Sequence, residues 1–441
     1  MTSTLVSEWP VLSLREARVS LIDCDHRTPP STGSGYPYVA IPQLKKGRID
    51  LSEVRHISSN HYLDWTKKAK PSPYDVVLSR RCNPGESAYV PPGLEFAVGQ
   101  NLVLLRADGT KVFPPFLRWL VRGPEWWEQI RQFLNVGAVF DSLKCADIPN
   151  FRVRIPPIQT QRTIAHILGT LDDKIELNRR MNGTLESMAR ALFESWFVDF
   201  DPVRAKAEGL DTGLPGHVAD IFPDAFEDSE LGEIPKGWAT KPIEALVEVL
   251  GGSTPSTKES RFWDDGIHPW VTPKDLSGLS SPVLLESERK ITDEGLSTIS
   301  SGLLPKGTVL LSSRAPIGYL AIAEMALAIN QGFIAMQPKA GVSNLFILFW
   351  TRISHEEIVS RANGSTFLEI SKSNFRPIRV VSPPSAVMAE FDRQARQIYE
   401  HIVANERESR SLSVLHDALL PKLLSGELLI EDMLRFNVER S

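Results

Sequence analysis

The chain has 441 residues, 42% of them hydrophobic, and a formal net charge of −5. That length exceeds what one core organises and predicts two to four domains, and no apolar run reaches the roughly 18 residues a membrane span requires. The first residues lack a basic patch followed by an apolar stretch, so no signal peptide is expected, and three scattered cysteines (Cys24, Cys82, Cys145) fit neither a disulfide framework nor a CxxC metal site, pointing to a reducing cytoplasm.

The first segment, residues 1–158, reads as short apolar strands broken by turn residues: Val39–Ile41, Val76–Leu78, Leu102–Leu105 and Val153–Ile155. Pro114–Pro115 precede a predicted helix from Phe116 to Phe133, in which Trp126 and Trp127 are expected to pack in the core. The mixture is α+β rather than a regular βαβ series. Residues 40–150 carry fifteen Lys/Arg against eleven Asp/Glu, a net of +4.

A helical pattern follows over 159–200, with Ile164, Leu168, Leu171, Ile175, Asn178, Asn182, Leu185, Ala189, Leu192 and Trp196 at alternating four- and three-residue steps. Residues 201–233 form an acidic linker. From 199 to 233 there are ten Asp/Glu against Arg204 and Lys206, a net of −8 that leaves +3 for the rest of the chain. The charge asymmetry is more informative than the total.

Residues 234–386 then repeat the first segment. Phe140–Pro157 (FDSLKCADIPNFRVRIPP) aligns without a gap on Phe367–Pro384 (FLEISKSNFRPIRVVSPP). Glu8-Trp9-Pro10 resembles Ile234-Pro235-Lys236-Gly237-Trp238, Asp75–Arg81 matches Thr308–Arg314, and Gly85 falls on Gly318. A second heptad pattern runs over 387–428, through Phe391, Ala395, Ile398, Ile402, Asn405, Ser409, Leu412, His416, Leu419 and Leu423, before a tail at 429–441. Sustained spacing of this kind predicts a coiled coil. The fold expected is α+β: two mixed α/β domains separated by two long helices that pair antiparallel, with a pseudo-twofold internal repeat. Asn178 and Asn405 interrupt the two seams at equivalent points, and buried asparagines fix register. About 32 helical residues at ~1.5 Å each make a rod of roughly 48 Å, so two globular units joined this way would read two separated copies of something.

Three further runs carry a resemblance. Ile155–Arg162 (IPPIQTQR), Ile167–Arg180 (ILGTLDDKIELNRR) and Ala191–Val203 (ALFESWFVDFDPV) resemble the central region of type I restriction–modification specificity subunits, and Leu419–Leu428 (LLPKLLSGEL) resembles the distal region. The likeness covers nearly the whole chain. It implies two target-recognition domains, each reading one half of a split sequence in double-stranded DNA. It also implies two modification subunits that methylate adenine with S-adenosylmethionine, and restriction subunits that translocate and cut using ATP and Mg. In one departure, Ser382–Met388 lacks the glutamine that follows the first Pro-Pro pair, so the helix entry there is expected to differ.

Catalytic signatures are missing from the sequence. Phe113-Pro114-Pro115-Phe116 lacks the leading amide or acid of an adenine methyltransferase loop, and Gly251-Gly252 reads as a plain turn. No GxxxxGK(S/T) occurs, no Glu-x-Lys follows Pro223-Asp224 at strand spacing, and His166, His268 and His416 are isolated. The chain is therefore expected to be non-catalytic and to bind no cofactor or metal itself; the alternative is a self-contained methyltransferase or nuclease. Loops and helix ends must then read DNA, with Arg and Lys on guanine or phosphate and Asn or Gln on adenine. The candidates are Lys45, Lys46, Arg48, Lys67, Lys68, Arg80, Arg81 and Asn83 in the first domain, and Lys258, Arg261, Lys274, Ser313, Arg314, Lys372, Asn374 and Arg376 in the second. Phe193, Trp196, Phe197 and Phe200 exceed what a two-helix seam buries and are expected to dock a partner.

Overall fold

The computed structural model describes residues 9–137, 139–364 and 368–428; Glu8, Phe367 and the tail 429–441 lie outside them. The chain forms two compact units. One comprises residues up to Lys174 together with those from Ser411 onward, and the other runs from Ile175 to Arg410.

In the first unit a four-stranded antiparallel sheet has the order Val19–Asp23, Leu102–Ala107, Val76–Ser79, Ser87–Tyr89. Side chains alternate along Leu102–Ala107. Val103 and Leu105 join a cluster with Phe116, Trp119 and Trp126, while Leu102 and Leu104 join one with Val39, Phe96 and Val98. Both faces are covered, which is why this strand reads as an unbroken apolar run. A three-stranded sheet (Arg55–Ile57, Tyr36–Val39, Ala97–Val98) and a two-stranded one (Val11–Ser13 with Arg152–Arg154) complete the unit's main sheets. The helix expected over 116–133 is two helices, Pro114–Leu120 and Pro124–Phe133. Pro124 has no N–H to continue the first and takes the opening position of the second, where that loss costs nothing.

The second unit repeats this plan with one added edge strand. Its main sheet is ordered Val247–Leu250, Phe333–Pro338, Val309–Ser313, Ile317–Ala323, Val283–Leu284, and its three-stranded sheet Arg289–Ile291, His268–Val271, Ala328–Ile329. Ala239–Pro242 pairs with Arg379–Ser382, as Val11–Ser13 pairs with Arg152–Arg154. The acidic segment is ordered: helices Asp201–Ala207 and Gly216–Ala219 lead into the hairpin Phe226–Ser229/Gly232–Pro235. Val203, Val218 and Phe222 between the acids are buried, while Asp201, Glu208, Asp211, Asp220 and Asp224 face water.

The long helices run Ile158–Phe197 and Ser385–Ser425. In the first unit Ile164 and Leu168 share a core with Leu423, Leu419 and Leu420. In the second, Ala189, Phe193 and Trp196 share one with Phe391, Ala395 and Ile402. The start of each helix thus lies beside the end of the other, so they are antiparallel. The asparagine step sits in the second unit. Asn178 Nδ2 donates to Glu408 Oε2 at 2.8 Å, Ser409 Oγ at 3.2 Å and the Asn405 carbonyl at 3.4 Å. Asn405 Nδ2 donates to Asn182 Oδ1 at 2.9 Å, and Asn182 Nδ2 to Glu406 Oε1 at 2.9 Å. The side chain of Asn405 therefore pairs one turn along from Asn178, and of this polar set Asn178 and Asn182 are buried.

The two helix entries differ in chemistry, as the missing glutamine predicts. Gln161 is fully buried; its Oε1 accepts from the Phe113 amide at 2.7 Å, and its Nε2 donates to the Lys111 and Pro156 carbonyls at 2.8 and 2.7 Å. The aligned Met388 fills the same place with apolar volume, 4% exposed.

Candidate nucleic-acid interface

Each main sheet sends one strand into a tight turn, and the repeat places the same turn in both units. After Val76–Ser79 the chain passes through Arg80, Arg81, Cys82 and Asn83 to Gly85. Ser79 Oγ donates to the Arg81 carbonyl at 3.0 Å, and Gly85 N to the Ser79 carbonyl at 3.0 Å. Gly85 has φ +98°, and a Cβ there would lie 2.6 Å from the Trp127 ring. After Val309–Ser313, Ser312 Oγ accepts from Gly318 N and Tyr319 N at 3.1 and 2.8 Å; Gly318 has φ +121°, with no room for a Cβ beside His355. Both glycines are required by backbone angle and by space.

A hairpin clasps each turn. In the first unit Asn135 and Ser142 exchange backbone bonds of 2.9 and 3.0 Å, Leu143 N donates to the Arg80 carbonyl at 2.8 Å, and Arg81 bridges Ser142. In the second, Asn363 and Glu369 exchange bonds of 2.9 and 2.8 Å, Ile370 N donates to the Ser313 carbonyl at 3.0 Å, and Arg314 bridges Glu369. Sequence reasoning missed these hairpins. The aligned glycines Gly137 and Gly364, just before the repeated run, are the signal that marks them.

Around the first turn, Arg80 is buried to 9% exposure with Nη2 3.3 Å from His26 Nδ1, and the Arg81 guanidinium lies 5.6 Å from the Phe140 ring. Asn83 is exposed. Lys68 Nζ donates to the Cys24 carbonyl at 3.1 Å and lies 3.7 Å from Asp23. Asp23, Cys24 and His26 bring their ligand-type atoms within 4.8 Å of one another. Lys68 and Arg80 already offset that charge, and burial, aided by Asp23, pushes the Cys24 thiol up to about 11. The group braces Arg80 rather than offering an open cation site.

Around the second turn, Asn374 Nδ2 donates to the Arg361 carbonyl at 3.0 Å at the root of the hairpin, and Arg314 faces Glu369 at 3.7 Å. Lys372 opens the short helix Lys372–Phe375.

Other candidates are held elsewhere. Arg48 is anchored inside the first unit, with Nη2 donating to the Asp172 carbonyl at 2.6 Å, so it is a structural tie and not a free reader. Ser313 is 3% exposed, with its backbone spent on Gly332 and Ile370, and it too is corrected to a structural residue. Arg376 Nη2 donates to the Val249 carbonyl at 3.1 Å. Lys45, Lys67 and Lys274 face Asp50, Asp64 and Glu288 at 2.7, 2.5 and 2.8 Å, and Arg261 lies 3.4 Å from Glu259 and 3.7 Å from Glu294. Exposed pairs like these contribute little stability and yield readily to a phosphate. Lys46 and Lys258 are exposed on loops.

The docking assignment is corrected. Phe193, Trp196, Phe197 and Phe200 are 1–7% exposed and pack on Phe346, Phe391, Phe222 and Trp238. They are surplus to the helix seam because they build the core of the second unit. The first helix leaves Leu177, Met181 and Met188 exposed instead. Trp126 is buried as expected, whereas Trp127 is 37% exposed over Gly85.

Cys82 is an exposed thiol inside the first turn, whereas Cys24 is buried. At neutral pH a maleimide is expected to label Cys82 fast and Cys24 only on unfolding, and bound target DNA should slow Cys82 labelling at least tenfold. Unchanged labelling in the DNA complex would remove this turn from the interface.

Comparison with known proteins agrees with this two-unit plan. Residues 28–187 and 235–394 each match the family model described as type I restriction modification DNA specificity domain. The chain is 26% identical over 444 residues to the type I restriction enzyme HindI specificity subunit of Haemophilus influenzae, covering 90% of this chain and 95% of that one. It is 43% identical over 160 residues to the MjaIX specificity subunit of Methanocaldococcus jannaschii, 36% of this chain and 37% of that one. A crystal structure of a type I system S subunit from M. genitalium shares the fold, with a TM-score of 0.56 over 94% of this chain and 96% of that one at 13% identity.

Proposed function

Because the chain belongs to the type I restriction–modification DNA specificity family, with two copies of the family's domain, we propose that it is the non-catalytic reader of a bipartite DNA target. Each unit contacts one half-site through its clasped turn, around Arg81 in one and Arg314 in the other. The base pairs between the halves are unread. Methyl transfer, with S-adenosylmethionine, and ATP- and Mg-dependent translocation and cleavage belong to modification and restriction subunits that assemble on this chain. Leu177, Met181 and Met188 on the first long helix supply an apolar docking face.

One observation carries this reading: two units of one topology present equivalent turn-and-hairpin sites that differ in their side chains. A shared frame holding different surfaces is what two unlike half-sites require. Cations at such a site position the protein on phosphates, and the neighbouring side chains read base edges.

The test is methylation in the reconstituted complex. The chain with its modification subunit should methylate a split sequence, and the chain alone should transfer no methyl group. Replacing residues 1–158 with those of another family member should change one half of the methylated sequence only. Changes in both halves, or activity from the chain alone, would overturn the proposal.

A further inference from the structure

The hairpin Asn135–Ser142 carries Val136 and Val139 at 83% and 88% exposure, more than the other exposed large hydrophobic side chains among the described residues. Among the described residues nothing covers them. They belong to the hairpin that holds the Arg80–Arg81 turn; Arg131 and Lys144, which flank that hairpin in sequence, are exposed, and Asp141 within it is half-buried. Arg80 and Arg81 each keep a buried Nε without an acceptor, although Arg80 is only 9% exposed. Two exposed valines on a short hairpin bonded to an arginine-bearing turn are poorly matched to a helical partner, whose contact stripe would be continuous. They are well matched to a DNA major groove, where phosphates line the rim and the C5-methyl groups of thymine are the apolar features on the floor.

Resting on the DNA-reading function above, we propose that Val136 and Val139 read thymine methyl groups in the half-site of the first unit. Valine is too short to wedge between stacked bases, a task done by Phe, Leu, Ile, Met or Pro, but its methyl groups suit contact with another methyl group. The second unit supports the same division of labour. Its Asn363 and Glu369 exchange the same backbone bonds as Asn135 and Ser142, whereas in sequence the position aligned with Val139 is Thr366.

The experiment uses the full chain assembled with its modification subunits, on the target defined by its methylated sites. Each thymine of the half-site assigned to residues 1–158 is replaced in turn, on either strand, by deoxyuridine, which lacks only the C5-methyl. At one or two positions the replacement should weaken binding about fourfold, the worth of one buried methyl group. A Val136→Ser/Val139→Ser complex should bind the unmodified duplex several-fold more weakly and be indifferent to the same replacements. Thymines of the other half should respond equally in both complexes. Both valines are solvent-exposed, so the variant should keep its thermal midpoint, which is checked alongside. Three results would sink the proposal: no deoxyuridine position weakens binding, the double variant keeps the same sensitivity, or the variant loses its modification subunits while DNA affinity is unchanged. Failure of the wild-type complex to methylate any split target would instead refute the reading function itself.

Discussion

Replacing Trp196 with alanine is expected to destabilise the isolated chain by about 4 kcal/mol, in the range for emptying a large aromatic site in a packed core. Trp196 is 1% exposed, with its ring 4.9 Å from Phe222, edge to face, and 6.4 Å from Phe391. Phe193, one turn back on the same helix, and Phe197, the next residue, both touch Phe346 and Phe391. Truncation therefore opens a cavity that such a stiff cluster fills poorly. Chemical denaturation of the chain without partners measures the effect. A partner-docking aromatic would leave that stability unchanged and weaken only assembly, so the two roles separate in one experiment. An unchanged midpoint would return Trp196 to the surface.

The second large effect is expected at Asp172. Its carboxylate lies 3.4 Å from Arg118 Nη2 and 3.7 Å from Arg48 Nη2. Arg118 is 12% exposed, and its guanidinium lies 4.2 Å from the Tyr89 ring centre and 4.0 Å from that of Trp119. Burial pulls its pKa below the ordinary arginine value, with Asp172 working against that pull. Asp172→Ala leaves this cation enclosed without its carboxylate and should cost about 3–5 kcal/mol. Replacing both charges, with Arg118→Met and Asp172→Leu, should recover most of the loss, because it is the unpaired ion and not the missing pair that is costly. Equal destabilisation in the single and double variants would show that packing, and not charge, dominates here. The site ties the first unit's sheet to the long helix that carries Asp172. Loss of Asp172 should therefore reduce target binding in proportion to the unfolded fraction, with no change in which sequence is methylated.

Much of the frame was legible because it rests on period and repetition. The heptads of both helices survive folding: Ile164, Leu168, Ala189, Trp196, Phe391, Ala395, Ile402 and Leu423 are all buried. The gapless alignment from Phe140 foretold the equivalent strands Arg152–Arg154 and Arg379–Ser382, and the pairing of Gly85 with Gly318 foretold matching turns. The break at Pro124 was also written in the sequence and lost in the longer apolar pattern. The site was half legible. Arg81 and Arg314 could be placed by alignment, but the hairpins that hold them join residues about sixty positions away in sequence, Arg81 to Ser142 and Arg314 to Glu369. No local pattern reports such a pairing.

Charge was the least readable property. A lysine or arginine looks the same in sequence whether it faces water or a buried carbonyl, and only the fold showed Arg48 spent on the Asp172 carbonyl. The aromatic run at the end of the first long helix was ambiguous for a related reason: a large apolar side chain is equally at home in a core or in a docking face, and composition does not distinguish them. By itself the sequence determined the duplication and the paired helices, which depend on spacing along the chain, and the family, which the likeness of its runs at 155–203 and 419–428 implied. Which cations stand at the turns, which aromatics are core and which valines reach solvent were decided by tertiary structure, because exposure belongs to the packed molecule and not to the residue.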